Sequence, residues 1–156
     1  MMRIKLKNKS GFTLLELMLV MAILAIIAFV SRDLYTNFAL DATIDNNSKT
    51  IMFDLRSARN RAMNGQDDYN WGIHFVNSAS DYYEIFSTPT NYASASTTIE
   101  STNYLNGNIT FSSPANGNSI DIIFTKISGL ATATDIIIIS GTNQRTISVK
   151  SQGLIN

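Results

Sequence analysis

Glu16 is the residue whose surroundings most demand a chemical explanation. It is the only charged side chain between Lys9 and Arg32, and it sits inside the apolar run from Phe12 to Val30. A carboxylate within a membrane-length apolar segment costs on the order of 2.5–3.5 kcal/mol on insertion scales. A chain that keeps such a group has a use for it. Gly11 and Phe12 stand just before it, and before them lies a tail holding Arg3, Lys5, Lys7 and Lys9 with no acid.

The remaining candidates for chemistry are sparse. His74 is the only histidine, and cysteine is absent, so no thiolate site, disulfide or paired-histidine metal site can be assembled. By strand alternation His74 points opposite Trp71, Ile73 and Phe75, which reads as a surface position. The chain contains no GxSxG, HExxH, phosphate-loop or GxGxxG pattern. Arg56, Arg59 and Arg61 form the one basic cluster beyond the tail. They read as a solvated helix face on which Arg59 snorkels or pairs with a carboxylate, or as a contact for a neighbouring subunit. These residues lead us to expect no enzymatic activity, no cofactor and no metal.

Composition narrows the class further. The chain has 156 residues, enough for one globular domain, with 12 basic and 12 acidic side chains. The balance conceals an asymmetry, since removing residues 1–11 leaves 8 basic and 12 acidic side chains, a net of −4. A mildly acidic remainder argues against general nucleic-acid binding, which needs an excess of Lys and Arg. The basic tail and apolar run also have the layout of a secretory signal peptide. Against that stand Glu16 and the lack of a small-x-small cleavage site, for Ala28-Phe29-Val30 ends on valine. An uncleaved signal anchor carrying an extracellular binding module is the other alternative. As a helix Phe12–Val30 would run about 28 Å, just enough to span a hydrocarbon core. The basic residues before it would keep its amino end in the cytoplasm and place the rest outside.

The elements that must position these residues follow from breakers and periodicity. No glycine or proline occurs from residue 12 to residue 64, which predicts one long helix ending near Gly65. Its second half becomes one-sided, with Ile44, Ile51, Met52, Leu55, Ala58 and Ala62 on one arc and Asp54 and Arg61 away from its centre. Asp45 and Lys49 are spaced for an ion pair along the helix. Beyond Gly65 come strand-like runs at Trp71–Phe75, Tyr82–Phe86, Asn108–Phe111, Ile120–Ile127, Asp135–Ser140 and Arg145–Val149. Residues 89–103 read as a loop with at most a weak strand near Thr98–Glu100. Gly141-Thr142-Asn143-Gln144 reads as a turn, and Ile136–Ile139 as a central strand buried on both faces. The expected fold is α+β, a long helix packed through its second half on one antiparallel sheet. Its parts are a leader at 1–11, an apolar span at 12–30, an amphipathic continuation at 31–64 and a β-rich head at 65–156.

Gly11-Phe12-Thr13-Leu14-Leu15-Glu16 resembles the processing site of type IV prepilins and type II secretion pseudoprepilins. The resemblance implies a membrane peptidase that cuts between Gly11 and Phe12 and methylates the new amino terminus of Phe12. It also implies that Glu16 pairs with the Phe12 amine of an adjacent subunit during assembly. The later sequence is similar to the GspH/FimT-like group of minor subunits, whose helix end commonly reads Leu-x-x-Ala-Arg-x-x-Ala, as in Leu55–Ala62. Missing cysteines and a missing acidic loop near the end, where only Asp135 follows Asp121, favour a minor subunit over a major one. Implied partners are the prepilin peptidase, other pilin or pseudopilin subunits, an inner-membrane assembly platform and, before assembly, membrane lipid. Some FimT-like members bind DNA through a basic end region; Arg145 and Lys150 are too few for that, and DNA is not an expected partner.

Overall fold

A computed structural model describes residues 11–156, with side chains described for 11–29 and 38–156. Residues 1–10 of the leader expected at 1–11 lie outside the described residues, as do the side chains of 30–37. With no glycine or proline to interrupt it, one helix, α1, runs Leu14–Met63. It stops where Gly65 takes a left-handed φ of 66°, a conformation open to glycine at little cost. A 3-10 turn, Gln66–Asp68, follows.

The chain divides into two compact units, Met1–Phe38 and Ala39–Asn156. In the first, the described side chains of α1 are exposed and nearly all apolar. Among the described residues, no helix is long and apolar enough to cross a membrane. The apolar stretch whose side chains are described, Leu14–Phe29, is about 24 Å long as a helix.

The second unit sets the rest of α1 against seven strands, β1 Asn70–Val76, β2 Tyr82–Thr88, β3 Thr98–Tyr104, β4 Thr110–Ser113, β5 Ser119–Phe124, β6 Thr134–Ser140 and β7 Asn143–Val149. They form two antiparallel sheets, ordered β3-β2-β1-β5 and β4-β6-β7, rather than the single sheet expected from the sequence. The split is held by two buried polar side chains near the β1–β2 turn. Asp81 accepts the N–H of Phe111 at 2.7 Å, and the Asn77 amide donates to the carbonyls of Phe111 (2.8 Å) and Pro114 (2.7 Å). These bonds satisfy one side of β4, so it can turn its other side to β6.

The helix arc predicted from periodicity is the face that packs. Ile44, Ile51, Leu55, Ala58 and Ala62 are fully buried in one core with Trp71, Ile73 and Phe75 of β1, Ile122 and Phe124 of β5, Ile136 and Ile138 of β6, and Ile147 and Val149 of β7. Met52 lies at its margin. Gly72 lets the sheet close, since a Cβ there would stand 2.5 Å from the Ile122 carbonyl oxygen and 2.9 Å from the Phe86 ring.

Several strand expectations need correction. Thr98–Tyr104 is a full strand, paired to β2 from Tyr82↔Tyr104 to Ser87↔Thr98. It is an edge strand with both faces largely exposed, so it lacks the hydrophobic alternation that marks a half-buried strand. β4 lies two residues later than expected, and β5 ends at Phe124 because Ile127 turns to a φ of 68°. The Ile127 N–H instead donates to the Ala62 carbonyl at 2.9 Å. β6 is central in its sheet, but only Ile136 and Ile138 are fully buried, while Ile137 and Ile139 are half-covered. The turn expected over 141–144 is tighter than that, two residues with Gly141 at a φ of 59°, since Asn143 and Gln144 of β7 already pair with Ser140 and Ile139.

Candidate processing and assembly site

At the start of α1 the local sequence builds its own cap. The Thr13 hydroxyl oxygen accepts the Glu16 N–H at 3.2 Å, and the Thr13 carbonyl accepts the Leu17 N–H at 3.2 Å. This is the first half of a capping box, Thr-x-x-Glu, which offsets one of the unpaired N–H groups at a helix start. Thr13 is not among the residues that sequence reasoning singled out, although Thr-x-x-Glu before an apolar run is a legible signal. The cap leaves Glu16 in the first turn, where the positive end of the helix dipole favours a carboxylate.

Gly11, Phe12, Thr13 and Glu16 line one open hollow. Among the described residues, no atom outside the adjoining chain lies within 4 Å of where a Gly11 Cβ would stand. Phe12 is 83% exposed and Phe29 82%, and the large apolar side chains described between them are exposed as well. A contiguous apolar surface of this extent, with no buried side chain among the described residues before Ala39, marks an interaction surface. Its one charge, Glu16, stands about one helical turn from Phe12.

In the head, the three arginines prove to be internal fasteners. Arg56 donates to the Ile155 carbonyl at 3.2 Å, and Arg59 to the carbonyls of Gly129 (3.4 Å) and Gln152 (3.1 Å). Arg59 therefore pairs with loop backbone and not with a carboxylate. Arg61 pairs with Glu100 of β3 at 3.3 Å and lies over the Trp71 ring, 4.7 Å from its centroid. Asp45 pairs with Lys49 at 2.7 Å as the spacing implied, and Arg145 of β7 lies 3.8 Å from Asp45 while pairing with Asp41 at 2.8 Å. The Lys49 hydrogen bond holds the Asp45 carboxyl below its usual value, against desolvation and with help from the Lys49 charge and from Arg145.

His74 lies on the outer face of its sheet, as alternation predicts, but it is only 12% exposed in its side chain. Its Nδ1 lies 2.5 Å from Asp121 of β5, and its ring stacks on Tyr92 with centroids 3.8 Å apart. The Tyr92 hydroxyl donates to Glu84 of β2 and its ring meets Phe86 edge-on. Residues 89–97 thus fold over this face, which is why Phe86 is buried outside the main core. Burial and the Glu84 carboxylate raise the Tyr92 phenol well above its ordinary value. No sequence signal connects Tyr92 to His74, because the contact joins a loop to a strand across two chain reversals. Among the described residues, no group of three His, Cys, Asp or Glu side chains could hold a metal ion.

Residues 6–31 match the family described as the prokaryotic N-terminal methylation motif. The match supports a type IV prepilin-like protein, and a motif of this type implies processing by prepilin peptidase and assembly with other pilin subunits. It points to a structural subunit rather than an enzyme, and to membrane anchoring followed by association with a pilus. The helix packed on antiparallel sheets is α+β and consistent with a type IV pilin-like fold. Comparison with curated proteins and with solved structures returns no match.

Proposed function

We propose that this chain is a minor subunit of a type IV pilus or type II secretion pseudopilus, of the GspH/FimT-like kind. The prepilin peptidase cuts it between Gly11 and Phe12 and methylates the Phe12 amine. Residues 12–30 hold it in the bacterial inner membrane, with the head outside the cytoplasm, until the assembly platform moves it into the fibre. The observation that carries this reading is the exposed apolar surface that runs from Phe12 along α1 to Phe29 and carries Glu16 as its one charge. Water does not tolerate such a surface, whereas lipid and then neighbouring helices do.

Within the fibre Glu16 pairs with the Phe12 amine of an adjacent subunit. Each charge then offsets the other's burial, and a fixed partner sets the axial register. The exposure of Glu16 in the first turn, next to its capped helix start, supports the role. Support for the GspH/FimT-like subtype comes from the helix end. There Leu55, Ala58 and Ala62 are fully buried and Arg59 reaches two loops, which gives each position of Leu-x-x-Ala-Arg-x-x-Ala a packing task.

The test separates cleavage from assembly. Gly11→Val should leave the leader attached, because a branched side chain then enters the peptidase cleft. Glu16→Ala should be cleaved normally yet fall at least about tenfold in the sheared or crosslinked filament fraction, as loss of a buried ion-pair partner costs several kcal/mol. Normal incorporation of Glu16→Ala would remove the pairing role. Full export and function of both variants would favour an anchored binding module instead.

A further inference from the structure

The β1–β2 turn and the β3–β4 connection enclose a small polar cavity of about 210 Å³. Its wall includes Ser78, Ser80, Asp81, Tyr104, Asn106 and Thr110, and no lining residue is basic. The geometry points to a binding site for one neutral sugar unit in this cavity, a role independent of the subunit reading.

Rigidity is the first argument. Asp81, only 7% exposed, accepts the Ser78 N–H at 2.8 Å and the Phe111 N–H at 2.7 Å through separate carboxylate oxygens. Its own carbonyl accepts the Leu105 N–H at 2.9 Å. One buried residue thus ties both walls together, and a preformed cavity spares a ligand the cost of ordering loops. An ionised carboxylate offers about four acceptor positions, and the two N–H groups use only two.

The second argument is the donor and acceptor set. Among the described residues, the Ser80 hydroxyl, the Asn106 amide and the Thr110 hydroxyl make no hydrogen bond within the protein. These groups both donate and accept, as sugar hydroxyls do. Tyr104, 69% exposed, supplies an aromatic wall and is braced by Tyr82 at 5.6 Å between ring centroids. A flat, rigid aromatic surface suits the C–H face of a pyranose, and Tyr with Ser and Asn is the composition of adaptable recognition loops. Charge decides the class of sugar. Asp81 is the only charged group in the lining, so uronic and sialic acids are disfavoured by like charge, while neutral sugars meet no repulsion.

Saturation-transfer difference NMR on the full chain, held in an amine-oxide detergent that carries no sugar, tests the site. The probes are glucose, galactose, mannose, N-acetylglucosamine and N-acetylgalactosamine at millimolar concentration, with glucuronate as the anionic counterpart. At least one neutral sugar should receive saturation. Tyr104→Ala and Asn106→Ala should each weaken that binding about tenfold at unchanged melting temperature, while Ile99→Ala on the same edge strand should not. Three results would overturn the proposal: no transfer to any of the five sugars, transfer indifferent to both substitutions, or glucuronate binding as tightly as glucose.

Discussion

Tyr83 and Asp54 meet at the seam between helix and sheet, where the phenol donates to the carboxylate at 2.6 Å. Helical periodicity places Asp54 away from the centre of the packed arc, and that is correct, yet the side chain still reaches a buried partner at the arc's rim. Burial first, and then the Asp54 hydrogen bond, raise the Tyr83 phenol far above its ordinary value of 10. Tyr92 is raised in the same direction by burial and Glu84. The sign of the linkage is clear: a raised folded-state value means the contribution is whole below about pH 10. It is lost as pH rises above that, because the unfolded chain gives up protons that the folded chain retains. Denaturant midpoints measured between about pH 8 and pH 11.5 should therefore fall steeply above pH 10. Tyr83→Phe combined with Tyr92→Phe should lower the plateau by about 1.5–3 kcal/mol for each lost hydrogen bond to a charged group, and should flatten the alkaline slope. An unchanged slope in the double variant would assign the alkaline loss to other groups.

Among the elements, the junction of helix end, β5–β6 connection and final turn depends on close approach. Gly153 has a φ of 73°, and a Cβ there would stand 2.0 Å from the Gly129 carbonyl oxygen and 2.7 Å from Arg59 Nε. Arg59 occupies the space that these two glycines leave open. Arg59→Ala should lower stability by about 2 kcal/mol, and Arg59→Lys by nearly as much, since an ammonium cannot present the planar fork that reaches two carbonyls. Gly153→Ala should be worse than either, while Arg145→Ala, which removes a partly exposed ion pair, should cost under about 1 kcal/mol. Urea midpoints of the four variants check the ranking, and Arg59→Lys matching wild type would contradict it. Much of this element-scale picture was legible in the sequence. The absence of breakers foretold α1, periodicity foretold its buried arc, alternation foretold β1, and the β-like run Tyr82–Phe86 foretold β2. What was not legible depended on distant partners. β3 is a strand only because β2 offers it an edge, and the division into two sheets rests on Asp81 and Asn77 bonding a backbone some 30 residues away. At the amino-terminal site, by contrast, the Gly11-Phe12 junction, the isolated charge of Glu16 and its cap at Thr13 are all local, so residue types and spacing carry the signal.

At the scale of the whole molecule, the two units obey opposite rules. From Ala39 onward, apolar side chains are gathered between helix and sheets, and arginines fasten the loops over them. Before it, the described apolar side chains face outward with one carboxylate among them. A chain built this way suits the proposed role, in which lipid and then other subunits cover the first unit. The central claim is that Phe12 becomes the amino terminus, which creates the cation that Glu16 requires. Intact-mass analysis of the protein isolated from its native membrane tests this directly. The account predicts the mass of residues 12–156 plus one methyl group. Retention of residues 1–11, or a mature start beyond Val30, would contradict it.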